Sequence, residues 1–117
     1  MLDNVILHNP RCSKSRATLA LLQERDVDVA VVEYLQAPPS PSDLLTICAR
    51  LGIPALQLIR TQEQRFHELG LSPQDERSDE EWSKILSENP VLIERPIVIY
   101  RGKAAIGRPP ANVLEIL

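Results

Sequence analysis

The chain has 117 residues, 44% of them hydrophobic and 25% charged, with a formal net charge of -3. That length suits one domain able to bury a core, and the composition excludes a disordered polymer. A mildly acidic chain also lacks the massed Lys and Arg that general nucleic-acid binding requires.

The opening MLDNVILHNP has only a three-residue apolar run, without the basic and long apolar regions of a signal peptide, and no apolar stretch reaches about 18 residues. The expectation is a cytoplasmic protein with no membrane and no nucleic-acid partner. Val5-Ile6-Leu7 is a continuous apolar run stopped by Asn9-Pro10, which predicts a buried strand ending in a loop. SKSRATLALLQER follows, with Ala17, Leu21 and Leu22 at helical spacing and Ser13 as the expected N-cap. VDVAVVEYL, from Val27, is β-branched and predicts a second strand, making a βαβ unit.

The middle of the chain reads as helical. Ser40, Pro41 and Asp43 supply an N-cap, a first-turn proline and a first-turn acid, and the helix they start ends at Gly52. Pro54 introduces a short helix through ALQLIR, and EQRFHELG another ending at Gly70. Ser78 with Glu81 forms a capping-box pattern ahead of Trp82, Ile85 and Leu86. The end returns to strands: IVIY, a turn at Arg101-Gly102, KAAIG, and a final helical segment started by Pro109-Pro110. This order, β-α-β, helices, β-β-α, predicts an α/β, thioredoxin-like (glutaredoxin-like) fold. A single domain over residues 1-117 is expected, with a central mixed four-stranded sheet and a helical insertion at about 41-93.

The chemistry concentrates in HNPRCSKSR, residues 8-16. A cysteine at a strand-to-helix turn meets unpaired backbone N–H groups and the positive end of the helix dipole, which favour its thiolate. Cys12 has that position, and Arg11, Lys14, Arg16 and His8 surround it with positive charge. The same N–H groups, with arginines nearby, suit a small tetrahedral oxyanion. Arg60, Arg95 and Arg108 stand beside loop or strand-edge signals, the last two directly before proline, although each taken singly reads as a solvent-facing charge. Cys48, among Leu44, Leu45 and Ile47, reads as core, and His67 as a surface residue. Two His and two Cys lack the paired spacings of a zinc site, so no metal is expected.

HNPRCSKSR, LIR, ERPIVI and GRPP followed by VLEIL resemble, in order and spacing, the glutaredoxin-coupled arsenate reductase (ArsC) family, most closely its YfgD-like branch. The resemblance implies that Cys12 attacks arsenate, loses water and forms a thiolate-linked arsenic(V) adduct. Glutathione as co-substrate and glutaredoxin as partner then complete reduction to arsenite, with no bound cofactor. It also implies that Arg60, Arg95 and Arg108 bind the oxyanion, that Ser15 and Arg16 belong to the turn around it, and that His8 helps lower the cysteine pKa. Asn9 and Pro96 would be structural near the site, Pro96 in the place of a cis proline.

A phosphatase-like thiol site is set aside, because it needs an arginine at position 18, where this chain has Thr18. Two alternatives stay open. CSKS resembles a C-x-x-S monothiol site suited to glutathione-linked thiol-disulfide exchange. The Spx-like regulators share the expected fold without turnover, but typically carry a second cysteine where this chain has Ser15.

Overall fold

A computed structural model describes residues 3–117. They fall into two compact units, one formed by the chain up to Ala37 together with Arg95–Leu117, the other by Pro38–Glu94.

The first unit is built on a four-stranded sheet of order β2-β1-β3-β4, with β1 Val5–His8, β2 Ala30–Glu33, β3 Ile97–Tyr100 and β4 Lys103–Ile106. β1 runs parallel to β2, with His8 opposite Glu33, and antiparallel to β3, with Leu7 opposite Ile97. β3 and β4 form an antiparallel hairpin, whose turn uses positive φ at Arg101 (50°) and Gly102 (78°), the geometry a tight two-residue connection requires. The mixed four-stranded sheet and the β-α-β, β-β-α order are those of the expected thioredoxin-like fold.

All four residues of β1 are buried, which explains its unbroken apolar run. Ile6 meets Leu22 of helix α1 (Ser13–Glu24), Val98, Ala105 and Val113 of the terminal 3₁₀ helix Pro110–Ile116, with Val27 and Val29 packed against this cluster. Each fully buried aliphatic chain of this kind contributes about 1.5–3 kcal/mol. Because side chains alternate along a strand, His8 projects to the same face as Ile6, toward α1.

Two local expectations are corrected. The N-cap of α1 is Cys12, not Ser13, which is the first helical residue. β2 begins at Ala30 rather than Val27, because the Val27 N–H is bonded to the Leu22 carbonyl at the end of α1 and pairing with β1 starts only beyond it.

The second unit is helical: α2 Pro41–Leu51, a 3₁₀ turn Ala55–Leu58, α3 Gln64–Glu68, α4 Asp79–Glu88 and a 3₁₀ turn Pro90–Leu92 that the sequence did not signal. Ser40 caps α2 by accepting the Asp43 N–H at 3.0 Å, and Gly52 closes it with φ 70°. Ser78 and Glu81 form the complete capping box of α4. Trp82 is buried and stacks on Phe66 with ring centroids 6.3 Å apart, while the Arg77 guanidinium lies 5.4 Å from the Trp82 ring. Cys48 is core, as expected, and burial followed by the charge of Asp79 pushes its thiol up to about 11. His67 is exposed.

Candidate active site

The loop between β1 and α1 is closed by its own polar groups. The Cys12 N–H donates to the Asn9 carbonyl at 3.0 Å, and the Arg11 N–H to Asn9 Oδ1 at 3.0 Å. The Asn9 N–H in turn donates to Ser15 Oγ at 3.0 Å, and Arg16 Nη1 donates to the Pro10 carbonyl at 2.9 Å. Asn9 and Arg16 therefore fix the turn from both sides, and the chain delivers a partly exposed Cys12 at the head of α1.

As N-cap, Cys12 replaces the usual hydroxyl or carboxylate with sulfur. The side chain makes no cap hydrogen bond, so the first-turn N–H groups remain available to it when it ionises. Burial of the sulfur opposes ionisation. The Ser15 N–H, the charge of Arg95, the Lys14 N–H and the charge of Arg108 outweigh it, and the thiol lies below its ordinary value. Helix end and guanidinium groups act together, as the sequence pattern implied, but the named arginines come from the far end of the chain, not from Arg11 or Arg16.

Arg95 and Arg108 act on the sulfur by charge from the loops flanking the hairpin. Both precede a cis proline, at Arg95–Pro96 and Arg108–Pro109. The first was expected, and the second carried no signal beyond the Arg-Pro pair itself. Arg108 Nη1 donates to the Arg95 carbonyl at 3.3 Å, and the Gly107 N–H to the Pro96 carbonyl at 2.9 Å, so the two loops are tied together. Nε and Nη1 of Arg95 are buried with no hydrogen-bond partner. Buried guanidinium donors are costly to leave unmade, and these two are chemically able to donate to the oxygens of an anion.

His8 is 6% exposed, and its Nδ1 lies 2.6 Å from Ser15 Oγ. Burial lowers the His8 pKa, the Glu33 carboxylate raises it and the Arg16 charge lowers it again, with a net fall. His8 thus acts on the turn through Ser15, which is fully buried. Two contributors escaped the sequence reading. Thr18 is fully buried, donating to the Lys14 carbonyl at 2.8 Å and reaching the Gly107 carbonyl at 3.5 Å. Gly107 leaves no room for a side chain, since a Cβ there would lie 2.5 Å from Thr18 Oγ1 and 2.8 Å from Pro96 Cγ. A glycine directly before Arg108-Pro109 was its only trace in the sequence.

The sheet unit therefore brings together Cys12, His8, Asn9, Ser15, Arg16, Arg95, Pro96 and Arg108. Arg60 belongs to the helical unit, where its Nη1 pairs with Glu63 at 2.8 Å. Among the described residues no group of three or more His, Cys, Asp or Glu side chains is placed to hold a metal ion, and no helix is long and apolar enough to cross a membrane.

The family model of the ArsC family matches residues 7–116. The chain belongs to the ArsC family. It is 47% identical over 114 residues to the arsenate reductase of Haemophilus influenzae, covering 97% of both chains. It is equally 47% identical over 113 residues to the uncharacterized protein YfgD of Escherichia coli, covering 96% of this chain and 94% of that one. In structure it is similar to an arsenate reductase from Vibrio cholerae, with a TM-score of 0.91 and 44% identity over 97% of this chain and 96% of that chain. The matched span takes in every residue of the site built above, from His8 to Arg108.

Proposed function

We propose that this chain is an arsenate reductase whose nucleophile is Cys12 and whose electrons come from glutathione through a glutaredoxin. The observation that carries the reading is the pair of unpartnered buried donors on Arg95 beside a cysteine whose ionisation the helix head favours. Arg95 and Arg108 hold the oxyanion, and the N–H groups of Lys14 and Ser15 favour negative charge at the sulfur. The Cys12 thiolate attacks arsenic, an As–S bond replaces an As–O bond and the oxygen leaves as water. Two thiol equivalents then convert arsenic(V) to arsenic(III), so that arsenic acid and two thiols give arsenous acid, one disulfide and one water.

The cysteine inventory supports an external reductant. Cys48 is buried with its thiol pushed up to about 11, which leaves it unsuited to resolve an adduct at Cys12. Arg60 enters this reading through the family resemblance alone. The test is arsenate-dependent NADPH consumption with glutathione, glutathione reductase and glutaredoxin, which Cys12→Ser abolishes. Folded wild-type protein that consumes no NADPH above the arsenate-free background sinks the reading.

A further inference from the structure

Beside the Cys12 loop lies a cleft of about 340 Å³, at the lower end of the range for small-ligand sites. Its walls carry one cation, Arg11, and one anion, Glu33, with the amide side chains of Asn9 and Gln36, the exposed apolar Leu35 and the edge of His8. Among the described residues neither Arg11 nor Glu33 is held in a salt bridge. Arg11 comes from the loop and Glu33 from the end of β2, so the sheet register, His8 opposite Glu33, sets opposite charges on one opening. The reactive sulfur is the next residue after Arg11, on a turn closed by the Cys12 N–H to Asn9 carbonyl bond.

We propose that this cleft is the docking subsite for a small zwitterionic peptide thiol. Arg11 takes a carboxylate of that peptide, Glu33 takes its ammonium group, Asn9 and Gln36 meet its amides and Leu35 its aliphatic part. The proposal deepens the arsenate-reductase reading and rests on it for the step that follows docking. There the bound thiol condenses with the Cys12-linked arsenic(V), an As–S bond replacing an As–O bond as water leaves, with no change in oxidation state.

Docking is measurable without arsenic. The Cys12 thiolate attacks one sulfur of glutathione disulfide, a mixed disulfide forms, the disulfide bond of the probe breaks and glutathione thiolate leaves with the electron pair. The rate of that reaction, followed by intact mass, is divided by the rate with neutral bis(2-hydroxyethyl) disulfide, so that any change in thiolate reactivity cancels. Wild-type protein is expected to favour glutathione disulfide, and Arg11→Gln and Glu33→Gln each to lower the ratio about three- to fivefold, the range of a surface ion pair. The sign at Glu33 is decisive: long-range attraction of an anionic probe alone raises the ratio when that carboxylate is removed. A ratio that rises in Glu33→Gln, is unchanged in both variants, or shows no wild-type preference overturns the proposal. A ratio that behaves as expected in protein that turns over no arsenate sinks the reductase reading and leaves the subsite standing.

Discussion

His8 Nδ1 and Ser15 Oγ are 2.6 Å apart, and the same oxygen accepts the Asn9 N–H at 3.0 Å. One buried hydroxyl therefore links the end of β1, the loop and the first turn of α1. Because burial and Arg16 outweigh Glu33 in holding His8 below its ordinary 6.5, the folded chain keeps this ring neutral where the unfolded chain protonates it. Below about pH 6.5 the unfolded state then binds more protons than the folded state, so stability falls as pH falls through that window. Urea unfolding at pH 7.5 and pH 5.5 checks this: the loss is expected to be smaller in His8→Gln than in the wild type.

Titration of Cys12 by iodoacetamide is expected to give a midpoint below that of a free cysteine, because the Ser15 and Lys14 N–H groups and the charges of Arg95 and Arg108 together outweigh burial. Arg95→Ala and Arg108→Ala each remove a positive charge acting on the sulfur, so each moves the midpoint upward. In arsenate turnover the same variants raise KM, with a fall in kcat where the interaction strengthens in the transition state. Wild-type midpoints and kinetics in both variants remove the arginines from the site.

Native protein is expected to take up one alkyl group and unfolded protein two. Cys48 is buried and its thiol is pushed up to about 11, whereas Cys12 is partly exposed and lowered. Intact mass after brief alkylation, with and without urea, reads the number directly.

Gly107→Ala places a methyl group 2.5 Å from Thr18 Oγ1 and 2.8 Å from Pro96 Cγ. Overpacking of this kind costs about 1–3 kcal/mol. Thr18→Ala removes one of the two obstructions, so the cost of Gly107→Ala is expected to be smaller in that background. Thermal unfolding of the two single variants and the double variant gives the coupling.

Most of the local architecture was legible because it is written in short-range chemistry. Ser40-Pro41 and Ser78 with Glu81 act within one turn, and the Arg101-Gly102 connection needs only its own two dihedrals. The cysteine, its loop and the two Arg-Pro pairs were legible for the same reason. What escaped depends on neighbours distant in sequence: Gly107 is defined by Thr18 and Pro96, and the cleft by the register that sets Glu33 beside His8. The N-cap was misplaced by one residue because serine is the stronger capper by propensity, while the turn geometry selects the cysteine.

The parts that act on the Cys12 sulfur lie at both ends of the polypeptide, in the first helix turn and at Arg95 and Arg108. Along the chain Cys12 precedes Arg95 by 83 residues and Arg108 by 96, separations read from positions 12, 95 and 108. The full set of groups acting on the sulfur is therefore assembled only when the β3–β4 hairpin pairs with β1 and carries its flanking arginines to the first turn of α1.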